Sequence, residues 1–372
     1  MKIALVRGSY FNKFEMQNYE PLAKRQQITG FSGLGPIHQK YSFPLVKLLS
    51  PVDLPGFPYK MPILNRLCFG DAMYLLNLER KLKGFDLVHV RETYFHFTQQ
   101  ALRAKKSGFV RKVVCTCSET IPFNHEGIWN RKRFKEKAIK EVDFFHCLTQ
   151  KAKKCLVKEG CNPEKIIVFP YGVDLKRFRP QKKAQKQSTL INILFVGRLV
   201  KEKGIYNLFK MFNSIDKSIK NIKLTIIGNG PEKDKLINLI NQRNLEKKIE
   251  IKTVSYGEIP SEYSQADIFC LFSQATTYWE EYLGMALIEA IASGLPVIAT
   301  LSGAIPEVLG QAGILIPENN WQAGAQALKK LILNAKLRRK LGKQARTRAE
   351  RLYDQQKITE KINSFWETAL KD

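Results

Sequence analysis

None of the 372 residues falls in an apolar run of 18 or more, so no segment reads as a membrane-spanning helix. The opening "MKIALVRGSY" is too short and too quickly polar for a signal peptide and reads as a first buried strand, which makes the cytoplasm the expected location. The seven cysteines form no CxxC pair and stand with no histidines at zinc spacing. They are expected to be buried free thiols of a reducing compartment, with Cys115 and Cys117 on one face of a strand. A GxxxxGK[ST] phosphate loop is absent. Acids are scarce: 34 Asp and Glu face 61 Lys and Arg, a net charge of +27. Residues 1–186 hold 35 basic and 15 acidic side chains, the remainder 26 and 19. Such a field suits an anionic partner of the first half, whether nucleic acid, an acidic membrane or a phosphorylated substrate. A merely solvated lysine-rich surface would read the same way.

Against these absences stands a regular alternation. Short β-branched runs ("KIALV", "FDLVHV", "KVVCTC", "DFFHCLT", "KIIVFP") alternate with helical stretches up to about residue 170. After the polar stretch 180–189 the pattern restarts with "INILFVG", "IKLTIIG", "KIEIKTV", "DIFCLF", "LPVIAT" and "GILIP". This spacing predicts two doubly wound α/β domains with parallel sheets, spanning 1–185 and 186–354. The helical segment 355–372 is expected to return to the first. Ligands of such sheets bind outside the carboxyl ends of the strands, so the loops after strands should carry the chemistry.

Three of those loops stand out. The stretch "WEEYLGMALIEAIASGLP" predicts a helix from Gly284 to Gly294, apolar nearly all round, with Glu289 as its one charge. A buried carboxylate needs donors, from the protein or from ligand hydroxyls. Glu281 lies just ahead of the helix, where the free N–H groups of Gly284, Met285 and Ala286 make an anion site. Taken alone, the stretch also reads as an acid-capped core helix. The loop "GRLVKEKG" places Gly197, Arg198 and Lys203 after a strand, a fork and a point charge suited to a diphosphate. The turn "GNGPEKDK", with Asn229, is weaker support.

Together these pieces resemble the GT-B nucleotide-sugar glycosyltransferases, specifically the retaining enzymes of glycosyltransferase family four. The matching motifs run in order: "FPYGVDLKRFRP", "FVGRLVKEKG", "IIGNGPEKDKL", "VSYGEIPSEYSQADIFCLFSQA", the E-x7-E stretch "EYLGMALIEAIASGLPVIAT" and "GAIPEVLGQAGILI". They span 162–317, and residues 1–160 fit more loosely. The resemblance implies two Rossmann-like domains facing a central cleft, the first taking the acceptor and the second the nucleotide sugar. It implies Arg198 and Lys203 on the donor diphosphate, Glu289 on the ribose and Glu281 on the sugar. The backbone at Gly284, Met285 and Ala286 would face the phosphates, and Val254 and Ser255 the nucleobase. Many members carry a histidine after the fourth strand of the first domain; here Ser118 aligns, followed by Glu119, with His125 seven residues further on. Arg91 and Glu92 are second candidates for the acceptor and sugar side.

The resemblance further implies transfer of a hexosyl unit with retention from a UDP or GDP sugar, without metal or other cofactor. The acceptor would be a glycan or a lipid-linked molecule in cell-surface polysaccharide or glycolipid synthesis. The basic stretches 103–112 and 131–140 suggest peripheral docking on the inner face of an anionic membrane. Two alternatives stay open: a nucleic-acid-binding protein, for which no motif speaks, and a GT-B enzyme of another kind, such as a nucleotide-sugar epimerase.

Overall fold

The computed structural model describes residues 1–181, 190–216 and 218–371. The chain forms two compact units: Met1–Tyr171 with Gln355–Asp372, and Gly172–Asp354. In the first, seven parallel strands are β1 (Lys2–Val6), β2 (Gln27–Ser32), β3 (Leu45–Lys47), β4 (Phe85–Arg91), β5 (Val110–Cys117), β6 (Phe144–Cys147) and β7 (Ile166–Val168). Their order across the sheet is β3-β2-β1-β4-β5-β6-β7. The second holds β8 (Ile191–Val196), β9 (Ile222–Ile227), β10 (Ile249–Lys252), β11 (Ile268–Leu271), β12 (Val297–Thr300) and β13 (Gly313–Ile316). These are also parallel, in the order β10-β9-β8-β11-β12-β13. Both orders reverse direction once, between β1 and β4 and between β8 and β11, as in doubly wound nucleotide-binding sheets. β-Branched and aromatic residues fill β8, β11 and β12 because helices cover both sheet faces; Ile193, Phe269, Ile298 and their neighbours are fully buried.

Two strands escape the alternation read from the sequence. β2, "QITGFS", contains a glycine that looks like a turn signal. A Cβ on Gly30 would come within 2.8 Å of Phe11 and Leu45 side chains, so glycine is there for packing. β3 has only three residues.

The expected boundary at 185/186 lies outside the described residues, and the compact units divide earlier, after Tyr171. The reason is visible in the segment that follows. The Val173 amide donates to the Tyr353 carbonyl, Phe178 packs edge-on against Tyr263, and the Arg346 guanidinium holds the Phe178 carbonyl at 2.8 Å. Residues 172–178 are therefore built into the second unit before the lysine-rich stretch begins. The last helix, Gln355–Lys371, belongs to the first unit and buries Ile358, Ile362, Phe365 and Trp366 there.

Trp366 ends a buried polar chain. Its indole N–H can only donate, so His89 Nδ1 accepts at 3.0 Å. His89 Nε2–H then donates to Thr116 Oγ1 (2.7 Å), Thr116 to His146 Nδ1 (3.2 Å), and His146 Nε2–H to the Phe169 carbonyl (2.7 Å). Every partner is satisfied only if both imidazoles are neutral. Six of the seven cysteines are buried and the seventh partly so, all free, with the Cys115 and Cys117 sulfurs 3.8 Å apart on one face of β5. The hydrogen bond with the Cys115 thiol, and then burial, raise Cys117 well above the usual thiol range. Among the described residues no helix is long and apolar enough to cross a membrane.

Candidate active site

In the second unit the loops after β8, β9, β11 and β12 are laced together at the carboxyl end of the sheet. Gly197 N–H bonds the Ile227 carbonyl, Leu199 N–H the Asn229 carbonyl, and Gln274 N–H the Glu202 carbonyl at 2.7 Å. A Cβ on Gly228 would sit 1.8 Å from the Gly197 oxygen, so only glycine lets these two loops meet. This lacing gathers the side chains after β8 and β11 at the point where strand order reverses.

Lys203 and Glu281, 78 positions apart, form an ion pair there at 2.6 Å, with 16% and 7% of their side chains exposed. Ser273 Oγ donates to the same Glu281 oxygen at 2.7 Å. Both bonds fall on Oε2, and Oε1 makes none among the described residues. The Lys203 ammonium also lies 5.1 Å from the Trp279 ring centroid, a cation–π contact. Glu281 is held in turn by its backbone, whose carbonyl accepts from Ala304 N–H at 2.7 Å.

Three residues on, Gly284 starts the helix Met285–Ala292 with φ of +76°, a conformation that costs glycine nothing. Its carbonyl already accepts from Leu287 and Ile288, and no side chain caps the helix. The N–H groups of Met285 and Ala286 find no protein acceptor among the described residues. The opposite end is closed: Arg346 bonds the Ala292 carbonyl at 2.7 Å, a cation on the negative end of the dipole. The result is a helix whose positive end is bare beside Lys203 and Glu281.

Glu289 lies one turn further in, fully enclosed. Its Oε2 is 2.9 Å from the Tyr263 hydroxyl, which also lies 3.0 Å from the Ala286 carbonyl, and its Oε1 is buried with no partner. Burial raises this carboxyl from its ordinary 4.5 to about 7, against the Tyr263 bond and the charge of Arg177, which pull it down. The folded protein therefore keeps the proton up to about pH 7, whereas the unfolded chain releases it near 4.5. Stability falls as pH rises across that window, by up to about 3 kcal/mol at pH 8. Glu289→Gln should match the parent in urea denaturation at pH 5 and exceed it at pH 8.

Other residues expected at the donor site lie on the loops after β8, β9 and β10. Arg198 is exposed on the loop after β8, with no side-chain partner among the described residues. Asn229 is exposed and its Oδ1 caps Gly230 N–H at 2.9 Å. Val254 and Ser255 follow β10, where Ser255 is exposed and its N–H bonds Glu258 Oε2 at 2.8 Å. The sequence reading missed Ser273 and Tyr263. Tyr263 lies within "PSEYSQADIF" at an ordinary core-facing position, and only the fold shows that its hydroxyl meets Glu289.

In the first unit the four candidates are tied into local networks. Arg91, at the end of β4, donates to Glu15 Oε2 at 2.7 Å and lies 3.4 Å from Ser118 Oγ. Ser118 donates through its amide and hydroxyl to Glu92, whose carboxyl burial raises. Glu15 also accepts from Arg7 and from the Tyr171 hydroxyl at 2.8 Å. Burial pushes its carboxyl up, but the Arg7 and Arg91 guanidiniums outweigh that and hold it below the ordinary range. Glu119 accepts from Thr120 and Ile121 amides, Asn124 Nδ2 and His125 Nε2 (3.3 Å), so its oxygens organise the loop. The His125 ring lies against Glu119 and the Tyr94 ring. Nothing in the sequence marks Arg7 and Glu15 as a buried pair.

A pair of Rossmann-like units, with acids, cations and a bare helix end at the switch point of the second, is the architecture of the GT-B class. The family model for glycosyl transferases group 1 matches residues 176–348, and the model named Glycosyltransferase Family 4 matches residues 34–177. The two matches follow one another along the chain, the second model largely on the residues of the first unit and the first model on those of the second. WcaL of Escherichia coli, named as a colanic acid biosynthesis glycosyltransferase, is 33% identical over 215 residues, 56% of this chain and 53% of WcaL. The chain spans about half the length of such curated relatives. Among solved structures, HepE of Anabaena in complex with UDP and glucose has a TM-score of 0.78 at 16% identity, covering 99% of each chain. Sucrose-phosphate synthase of Thermosynechococcus elongatus reaches 0.80 at 18% identity, covering 99% of this chain and 98% of its own. At these identities the likeness is one of fold.

Proposed function

We propose that the protein transfers a hexosyl unit from a nucleoside diphosphate sugar, UDP- or GDP-linked, to a glycan or lipid-linked acceptor, with retention at the anomeric carbon. The observation that carries this reading is the buried, unpartnered Oε1 of Glu289 beneath a bare helix N-terminus. An ionised acid in that place needs donors such as ribose hydroxyls, and an uncapped helix end needs an anion. Arg198 and Lys203 supply the charge that a diphosphate requires, Glu281 Oε1 takes a sugar hydroxyl, and the loop at Val254 and Ser255 faces the base. The bond from the anomeric carbon to phosphate oxygen breaks while the acceptor oxygen bonds the same face. The acceptor proton passes to the leaving diphosphate, whose charge Arg198, Lys203 and the helix end stabilise. The relative named for colanic acid synthesis supports a polysaccharide acceptor, and the UDP in the HepE complex supports a uridine donor.

Because two side-chain cations and a helix end neutralise the diphosphate, transfer is proposed to need no metal. Activity should persist after chelation with EDTA and gain nothing from Mg²⁺ or Mn²⁺; loss on chelation that Mg²⁺ restores would contradict this. The reading as a whole is tested by a donor panel scored for nucleoside diphosphate release with and without acceptor. Release of nucleoside diphosphate with conversion to a new sugar but no acceptor product would favour an epimerase.

A further inference from the structure

The first unit carries a large apolar surface that its own fold does not cover. Between residues 54 and 69 the chain runs "LPGFPYKMPILNRLCF", and most of these side chains face solvent. Tyr59 is 80% exposed, Leu67 68% and Phe69 63%. The helix Lys60–Leu67 turns Leu64 and Asn65 inward and leaves Met61, Ile63 and Leu67 outside. Neighbouring loops extend the patch. The Phe69 ring lies 6.0 Å from that of Trp129, itself 58% exposed, and Asn130 Nδ2 fixes the Phe69 carbonyl at 2.8 Å. Leu76 N–H bonds the carbonyl of Leu49, and both leucine side chains are exposed. Contiguous exposed apolar surface of this kind marks an interaction site.

Charge narrows the partner. Residues 54–70 include no Asp or Glu, while Lys60 and Arg66 lie among the apolar side chains and exposed Lys132 and Arg133 follow Trp129. A second copy of the chain would bring these cations against their own kind. A nucleic acid would match the charge but not the aliphatic side chains. An anionic bilayer surface matches both, with apolar groups and aromatic rings at the acyl boundary and cations at the headgroups. Pro55, Pro58 and Pro62 stiffen the protrusion, so little ordering is needed to insert it.

We infer that the segment 54–69 with Trp129 is a wedge by which the first unit docks on membranes rich in anionic lipid. This narrows the docking from the basic stretches that composition singles out to an apolar segment, keeping Lys132 and Arg133 of the second stretch. Several of their cations are already paired: Arg103 with Glu79, Lys105 with Asp143, Arg131 with Asp71, and Lys135 with Glu159. The inference goes beyond the transferase reading and stands without it.

The test is cosedimentation of the full chain with vesicles of phosphatidylcholine alone or mixed with phosphatidylglycerol. The parent should pellet with the mixed vesicles. The variant Tyr59→Ser/Leu67→Gln/Trp129→Ser should partition at least tenfold less while keeping its thermal midpoint, since all three side chains are exposed. As a measurement independent of that variant's folding, mixed vesicles should blue-shift parent tryptophan fluorescence and shift Trp129→Phe markedly less. A parent that stays in the supernatant, or equal partitioning of the triple variant, overturns the wedge. So does a dimer in sedimentation velocity that the triple variant converts to monomer. Nucleoside diphosphate binding, measured in the same preparations, separates failure of this surface from failure of the proposed activity.

Discussion

Arg198→Ala should lower nucleoside diphosphate release from the donor the protein uses by about 10²- to 10³-fold, the usual cost of removing one donor aimed at developing charge. The protein itself should be no less stable, because the Arg198 side chain is exposed and supports nothing around it. Lys203→Met should lose activity on a similar scale but behave differently in urea. It strands Glu281, whose side chain is 7% exposed, without its ion partner. Breaking an enclosed pair on one side costs about 3 kcal/mol or more, and the Ser273 hydroxyl alone will not offset it. Glu281→Ala should also lose activity, since it removes the proposed sugar ligand and frees Lys203. The contrast between Arg198→Ala and Lys203→Met separates a residue that acts on ligand from one that also holds the loops together. Steady-state kinetics and urea denaturation on the three variants check it. Unchanged release in Arg198→Ala and Glu281→Ala would overturn the assignment of the site.

The second large effect is in the first unit and concerns acid. Burial, with the charge of Arg7 and the neighbouring His146, holds the His89 imidazole well below its ordinary 6.5, and burial lowers His146 to about 3. A histidine kept neutral in the fold binds its proton only on unfolding. The stability it contributes is complete above pH 6.5 and is lost as pH falls toward its folded value. From pH 6.5 to 4.5, two units at 1.36 kcal/mol each, the loss is about 3 kcal/mol for His146. Protonation would set a ring N–H against the Trp366 N–H at one end of the chain, so the C-terminal helix should loosen first. Asp71, raised to about 6 by burial despite Arg131, titrates in the opposite sense, so parent stability alone would hide the effect. The measurement is therefore the difference between parent and His146→Gln. A glutamine can still donate to the Phe169 carbonyl and accept from Thr116, but it does not titrate. Whatever that difference is at pH 6.5, it should move by about 3 kcal/mol in favour of the variant at pH 4.5, read as hydrogen-exchange protection in residues 355–371. A pH-independent difference would show that the chain of bonds does not keep His146 neutral.

Much of this architecture was legible in the residues. The strands that form the centres of both sheets are dense in Val, Ile and Phe, because a parallel strand covered on both faces tolerates little else. The helix at Gly284 showed itself through two local signals, an apolar run and a glycine at its start, and its single internal acid demanded an explanation in any fold. What was not legible depends on long-range geometry. β2 was hidden because its glycine is required by Phe11 and Leu45, residues far from it in sequence. Tyr263 and Ser273 look like ordinary polar neighbours of strands until the sheet order sets them against Glu289 and Glu281. Glu119 and His125 are bonded to one another and to their own loop, a geometry that the spacing of "SETIPFNHE" does not reveal. Composition marks the polar stretch after residue 180, while the packing of Val173 and Phe178 sets where the second compact unit begins.

The claim that Glu289 and the bare helix end hold a nucleoside diphosphate is tested most directly by calorimetric titration of UDP and GDP at pH 7 in buffers of different ionisation enthalpy. Hydroxyl donors arriving at Oε1 favour the ionised carboxylate, so binding should release up to about half a proton at pH 7. The observed enthalpy should then depend on buffer in the parent and not in Glu289→Gln, which should also bind more weakly. If neither nucleotide binds, or one binds the parent and Glu289→Gln with the same affinity and the same proton release, the site is not the one described.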